Sequence, residues 1–246
     1  MAAAPFRAPD TLAGAMGEAA LTALLRRLLP EGVAVAVARP GAQGLAALDA
    51  ELAALGRAVP KRRRDFIAGR AAAQRAMAAL GAPGLPLLPG PDRAPAWPAG
   101  LIGSLSHSGR FSLAAVARQE VLAGLGLDAV EDLPLGDDAG GAGCTPAERA
   151  WLDAQPRAVS GRMRRLILSA KESLCKALSP LCGQPLDGAA VEIAVATEAG
   201  AFTARLTRPA GPIAAGEEIA GRFGRAAATL VTVVALPAGP NPERPR

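Results

Sequence analysis

Ser169-Ala170-Lys171-Glu172-Ser173-Leu174-Cys175-Lys176-Ala177 holds two of the three lysines in a 246-residue chain whose other basic side chains, Lys61 apart, are arginine. A lysine ammonium is a compact, titratable point charge, whereas an arginine guanidinium is a planar fork that stays charged. Two lysines kept within six residues of an arginine-biased chain therefore point to chemistry. The surrounding pattern predicts a helix from about Gly161 to Leu178 capped by Ser160, with an apolar stripe of Met163, Leu166, Ile167, Ala170, Leu174, Ala177 and Leu178. Arg165, Ser169, Glu172 and Lys176 fall on the opposite side, where the Glu172 carboxylate and the Lys176 amine are i,i+4 neighbours.

Upstream of this helix, Thr145-Pro146-Ala147-Glu148 is a capping box with proline at the first helical position, so a shorter helix begins there. Asp132 to Gly143 is a Gly/Asp-rich surface loop and reads as a seam between lobes. Downstream, Val191–Ala196, Phe202–Leu206 and Thr229–Leu236 read as strands, and the tail from Pro237 is expected to be loose. In the first half, Thr22–Leu29 predicts a short helix stopped by Pro30, and Val33–Ala38 a strand. Lys61–Leu80 predicts a longer helix ending at Gly81. At about 100° per residue, Arg63, Arg70 and Gln74 share one flank of that helix beside Phe66 and Met77, a place for two guanidinium groups to meet an anion. A Pro/Gly-rich loop from Gly81 to Gly100 precedes Leu101-Ile102-Gly103-Ser104-Leu105-Ser106-His107-Ser108-Gly109-Arg110, read as a tight loop. Phe111–Ala117 and Val121–Asp128 then read as an antiparallel hairpin closed by Arg118-Gln119-Glu120. That hairpin would bring His107 and Asp128 to one rim. No fixed-period repeat is visible, although each half mixes helices with a few strands.

Composition narrows the function classes. Half of the residues are apolar and a fifth are charged, which suits a buried core and excludes wholesale disorder. The formal net charge of +5 favours anionic partners. Aromatic residues are only 3%, with no tyrosine, so stacking platforms for single-stranded nucleic acid are scarce. A nucleic-acid-binding module built on Arg62 to Arg64 is the weakest of the alternatives. No apolar run reaches the roughly 18 residues of a membrane span, and the first residues lack a signal-peptide pattern, so a cytoplasmic protein is expected. Cys144, Cys175 and Cys182 form no CxxC pair and His107 is the single histidine, a poor donor set for zinc.

Serine hydroxyls, backbone amides and an imidazole around Ser106 and His107 make a phosphate cradle. Asp128 at a strand end is on its own an ordinary turn former, and Glu172 with Lys176 an ordinary surface pair. Together, a phosphate cradle, two acids and a retained lysine are the parts of magnesium-assisted phosphoryl chemistry.

Gly103-Ser-Leu-Ser-His107-Ser, Gly126-Leu-Asp128 and Ser169-Ala-Lys-Glu172-Ser-Leu-Cys-Lys176-Ala resemble the 4′-phosphopantetheinyl transferases, in particular the branch of enterobactin synthase component D. Asp65-Phe-Ile-Ala-Gly-Arg70 and Arg93-Ala-Pro-Ala-Trp97 look like that branch too. The matches run from about residue 61 to 180, roughly half the chain. The resemblance implies an α+β fold of two similar lobes forming a pseudo-dimer, here 1–120 and 121–236 with a tail at 237–246. It implies transfer of phosphopantetheine from coenzyme A to a serine of an acyl, peptidyl or aryl carrier protein by a monomer serving siderophore, nonribosomal peptide or related synthases. Asp128 and Glu172 would hold Mg²⁺, Glu172 and Lys176 would be catalytic, and Arg70, Arg93, Ser106, His107 and Lys171 would bind coenzyme A. One position departs from the family. Where the strand end is Asp-x-Glu, this chain has Asp128-Ala129-Val130-Glu131, and alternation puts Val130 beside Asp128 and turns Glu131 away. An active enzyme with reduced magnesium affinity is the expectation, with a non-catalytic relative that binds coenzyme A or a carrier as the alternative.

Overall fold

In the computed structural model, which describes residues 8–90, 94–136, 143–183 and 186–239, the alternating Ala/Val run forms β1 (Ala34–Ala38). It is preceded by α1 (Ala8–Leu28), which starts well before the expected Thr22 because alanine-rich sequence carries the helix backwards. α2 (Asp49–Leu55) and α3 (Pro60–Ala79) follow, α3 opening on Pro60, whose missing N–H costs nothing at a first turn. A two-stranded ribbon, β2 (Leu88–Pro89) and β3 (Pro95–Ala96), leads into β4 (Leu101–His107) and β5 (Ser112–Arg118). The second half runs β6 (Leu122–Glu131), α4 (Pro146–Asp153), α5 (Arg157–Cys182), β7 (Val191–Ala196), β8 (Ala201–Leu206), β9 (Glu218–Ala226) and β10 (Thr229–Pro237).

Two antiparallel sheets result, one ordered β1-β5-β4 and one ordered β6-β10-β9-β8-β7. The plan strand, short helix, long helix, four strands therefore occurs twice, and in each half the first strand pairs with the last and the last with the one before it. The mixed α+β class follows directly. Three apolar clusters hold the layers together. α3 packs on the first sheet through Ala68, Ala72, Ala76 and Met77, and α5 packs on the second through Leu166, Ile167, Ala170, Leu174 and Leu178. α1 places Leu21, Leu24 and Leu25 against Leu113 of the first sheet and Leu125, Leu127 and Val233 of the second, so one core is shared between the halves.

The expected hairpin of Phe111–Ala117 with Val121–Asp128 does not form. β5 pairs instead with β4, in a register that sets His107 opposite Ser112, and the chain passes from one sheet to the other at 119–121. The turn signal at Arg118–Glu120 is real, with Val121 N–H donating to the Arg118 carbonyl, but a tight turn can as readily feed a new sheet as close a hairpin. Correspondingly, Leu101–His107 is a strand rather than a loop, and the passage between sheets is not at Asp132–Gly143, of which 137–142 lie outside the described residues.

β4 and β6 are the edges of their sheets and lie side by side without a backbone ladder. Ser104 Oγ accepts from Leu127 N at 2.9 Å, Ser106 Oγ accepts from Ala129 N at 3.0 Å, and Ser108 Oγ meets Thr229 Oγ1 at 3.2 Å. Alternate serines on one face of β4 thus satisfy edge amides of β6 that would otherwise be buried without partners.

On the other face of β6, glycine lets α5 approach. A Cβ on Gly126 would sit 1.7 Å from the Ser173 carbonyl oxygen and one on Gly124 2.7 Å from that of Ala177. Backbone carbonyls cannot yield as a flexible side chain does, so Gly126→Ala must push α5 off the sheet. We expect it to destabilise the protein by about 3 kcal/mol in urea unfolding; a midpoint matching wild type would contradict this packing.

Candidate functional site

The close approach of α5 to β6 has a direct consequence for Asp128. Because β6 keeps its register against β10 through Glu131, Gly124, Gly126, Asp128 and Val130 all face α5, while Leu125, Leu127 and Ala129 join the shared core. Asp128 is 6% exposed and held on several sides. Ser106 Oγ of β4 donates to Oδ1 at 3.0 Å, Ser169 Oγ of α5 donates to Oδ2 at 2.8 Å, and Lys176 Nζ donates to Oδ1 at 2.9 Å. Ser169 is fixed in turn by Thr232 of β10, whose hydroxyl donates to the Ser169 carbonyl at 2.8 Å.

Lys176 also lies 3.8 Å from Glu172 Oε1 and donates to the Leu127 carbonyl at 3.1 Å. One ammonium is therefore shared by two carboxylates, one nearly buried and hydrogen-bonded at both oxygens, the other with its side chain 58% exposed. Two acids converging on a single positive centre, with the Glu172 side open to water, form a donor set suited to a hard divalent cation that keeps several waters. Val130 packs into the core beneath α5 and adds no oxygen, and Glu131 lies on the far side, its Oε1 3.2 Å from where a Cβ on Gly109 would be. The departure at the strand end is thus a physical difference in the site: the register carries no bulge that would bring Glu131 round. Among the described residues no three His, Cys, Asp or Glu side chains cluster as a metal site.

Ser106 and His107 are the last two residues of β4 and border a cleft of about 600 Å³. Its other wall is a stripe of α3 comprising Arg62, Asp65, Phe66, Gly69 and Arg70, with Arg57 contributed by the segment after α2. The expected flank of Arg63, Arg70 and Gln74 is corrected accordingly: Arg62 and Arg70 share the cleft, while Gln74 is engaged elsewhere, donating to Glu51 and to the Leu85 carbonyl. Arg57 was not singled out from the sequence and Arg62 only within the Arg62–Arg64 run, and their placement depends on the turn between α2 and α3. The arginine run does not form one basic stripe either, because Arg62 faces the cleft while the stem of Arg64 lies 3.3 Å from a Cβ position on Gly41.

Arg70 is 8% exposed and stacks over Phe66, its guanidinium carbon 4.4 Å from the ring centroid. Burial lowers its pKa, the negative charge of Glu51 acts against that shift, and Arg62 adds to it. Its Nε is buried without a hydrogen-bond partner. Arg57, Arg62, Arg70 and His107 together give a concave, cationic surface suited to a phosphate. Arg93 lies outside the described residues.

Lys171 is not part of this cleft. Its ammonium is buried, 2.7 Å from Glu148 Oε2 and 2.8 Å from the Gly143 carbonyl, while Glu148 also accepts from Thr145 N and Ile193 N. Its charge is consumed in tying α4, α5 and β7 together. The sequence offered one signal of this, Glu148 in the capping box, since a buried carboxylate requires a partner. Cys175 makes no nucleophile: burial, reinforced by the nearby Glu172 charge, pushes its thiol up to about 11.

Residues 50–117 match the family described as the 4′-phosphopantetheinyl transferase N-terminal domain, and residues 124–230 match the 4′-phosphopantetheinyl transferase superfamily. The chain is 45% identical over 195 residues to 4′-phosphopantetheinyl transferase Svp of Streptomyces mobaraensis, covering 77% of this chain and 79% of that protein. It is 34% identical to 4′-phosphopantetheinyl transferase PptT of Mycobacterium tuberculosis, covering 66% of this chain and 71% of the relative. Enterobactin synthase component D of Escherichia coli K12 is 36% identical over 48% of this chain and 55% of its own length.

The interior role of Lys171 has a measurable signature. Lys171→Met leaves the Glu148 carboxylate buried without its ammonium, and we expect a loss of about 3–5 kcal/mol in unfolding free energy by urea titration. Unchanged stability would return Lys171 to the list of candidate ligand-binding groups.

Proposed function

The chain belongs to the 4′-phosphopantetheinyl transferase superfamily, and from that premise we infer that it moves phosphopantetheine from coenzyme A to a serine of an apo carrier protein. The serine Oγ forms a bond to the phosphorus bearing pantetheine, the bond from that phosphorus to the bridging oxygen breaks, and adenosine 3′,5′-bisphosphate leaves with the electron pair. The observation that carries this reading is the sharing of Lys176 between Asp128 and Glu172 beside a cationic cleft.

Asp128 and Glu172 are the residues that would hold Mg²⁺, and their convergence on one cation supports that assignment. Bound there, the ion would offset the negative charge that develops on the departing nucleotide phosphate. The remaining work falls to the side chains. Arg57, Arg62, Arg70 and His107 bind the anionic nucleotide end of coenzyme A, which orients the pyrophosphate. Lys176 gives a positive charge to a phosphate oxygen. The exposed Glu172 carboxylate takes the proton from the incoming serine, a task the buried Asp128 is poorly placed for. Ser106, whose hydroxyl accepts from Ala129 and donates to Asp128, steadies the acid. We take a monomer as the working unit. We place it in the cytoplasm, where coenzyme A and carrier domains meet, and the partial match to enterobactin synthase component D supports carriers of siderophore or related synthases.

Carrier mass is the direct assay. Wild type with coenzyme A and Mg²⁺ is expected to add one phosphopantetheine to an apo carrier, and an unchanged mass across acyl, peptidyl and aryl carriers would refute the reading. Glu172→Gln is expected to lower kcat by roughly 10²-fold or more with folding unaffected. Val130→Glu supplies a third oxygen on the α5 face and is expected to lower the magnesium concentration for half-maximal rate; an identical magnesium profile would show that Val130 does not limit metal binding.

A further inference from the structure

Glu51 on α2 is fully buried, yet among the described residues its hydrogen-bond donors are all neutral. Its Oε2 accepts from Leu48 N at 2.8 Å, completing half of a capping box whose other half Leu48 cannot supply. Oε1 accepts from Gln74 Nε2 of α3 at 2.9 Å and from Leu87 N at 2.8 Å, just ahead of β2. Gln74 Nε2 also donates to the Leu85 carbonyl at 2.7 Å. Three segments are thus pinned at one carboxylate, and each continues directly into a wall of the basic cleft: α2 into Arg57, α3 into Arg62 and Arg70, and the β2–β3 ribbon into Pro89.

The second half of the chain contains the same device. Glu148 holds the same position in its short helix, the third residue after the N-cap, bonds its own N-cap amide, takes a side chain from the following long helix and accepts a backbone N–H from a strand that follows, that of Ile193. The separation from Glu51 to Gln74 and from Glu148 to Lys171 is 23 residues in both cases. One difference separates the copies. Lys171 brings an ammonium to Glu148, whereas Gln74 brings a neutral amide to Glu51.

We propose that Glu51, latched by Gln74, is a positioning residue for coenzyme A: it fixes the three walls of the basic cleft. The latch touches neither the substrate nor the reacting atoms, and it sets affinity for the nucleotide end through the placement of Arg57, Arg62 and Arg70. This rests on the transferase reading above. A merely structural contact would change how much enzyme is folded, lowering the apparent rate without moving any KM. The latch instead predicts a change confined to one substrate.

The test is steady-state transfer with coenzyme A and an apo carrier varied separately, for wild type, Glu51→Gln, Gln74→Leu and Gln74→Lys. Glu51→Gln puts an amide donor where acceptors are required; it is expected to raise the coenzyme A KM about tenfold, with kcat and carrier KM within about twofold of wild type. Gln74→Leu removes one bond of the latch and is expected to raise the same KM about threefold, which decides the matter should Glu51→Gln not fold. Gln74→Lys copies the Glu148–Lys171 form, preserving the latch, and is expected to keep the coenzyme A KM closer to wild type than Glu51→Gln does. A coenzyme A KM within twofold of wild type in folded Glu51→Gln or Gln74→Leu, or equal rises in both KM values, overturns the latch. Wild type that modifies no carrier overturns the transferase reading itself, a separate result.

Discussion

The serine hydroxyls of β4 hold the site together. Two sheets meet at β4 and β6, both edge strands, and a backbone ladder between them would have fused the sheets into one continuous surface. Ser104 and Ser106 instead reach across and accept the β6 amides through side chains. The strands gain partners without merging, and a cleft persists on the β4 side while the β6 side remains free to pack on α5. The spare proton of Ser106 goes to Asp128, so the same hydroxyl that joins the sheets also orients the acid. Disturbing this contact would therefore reach both the junction and the chemistry.

The repeated plan of strand, two helices and four strands has been specialised in opposite directions. In the first half the long helix turns arginines toward a cleft; in the second it carries Glu172 and Lys176. The frame that aligns Gln74 with Lys171 sets Arg75 beside Glu172 in register and Ala79 beside Lys176, so the acidic apparatus has no counterpart in the first copy. Basic and acidic halves are then opposed across the serine junction, a layout suited to a ligand with phosphates at separated positions. It also explains why α5 must come so close to β6: with a side chain at Gly126, neither Ser169 nor Lys176 would reach Asp128.

Much of this was legible in the residues. The apolar stripe from Met163 to Leu178 defined the buried face of α5, and the Lys-Glu-Ser pattern marked the acid and the amine that meet Asp128. The meeting of the end of β4 with Asp128, made by Ser106, was anticipated for the wrong reason, a hairpin that the structure replaces with an edge-to-edge junction. Local turn chemistry does not encode which sheet a strand joins, and serines in Leu101–His107 look like loop residues until the edge that uses them is known. Lys171 misled because its neighbours in sequence are site residues, whereas its partner is Glu148, 23 residues away. Glu51 gave no signal as a site residue, since its partners are brought to it by tertiary packing from α3 and from the segment before β2.

The central claim is that a basic cleft from the first half and an acid pair from the second form one site around a single divalent ion. A crystal structure of the chain with coenzyme A and Mn²⁺, located by its anomalous signal, tests this most directly. The account predicts one ion bonded to both Asp128 and Glu172 at about 2.1–2.2 Å, slightly longer than magnesium distances, with the nucleotide end of the same coenzyme A between Arg70 and His107. An ion away from either carboxylate, or a nucleotide outside that cleft, would contradict it.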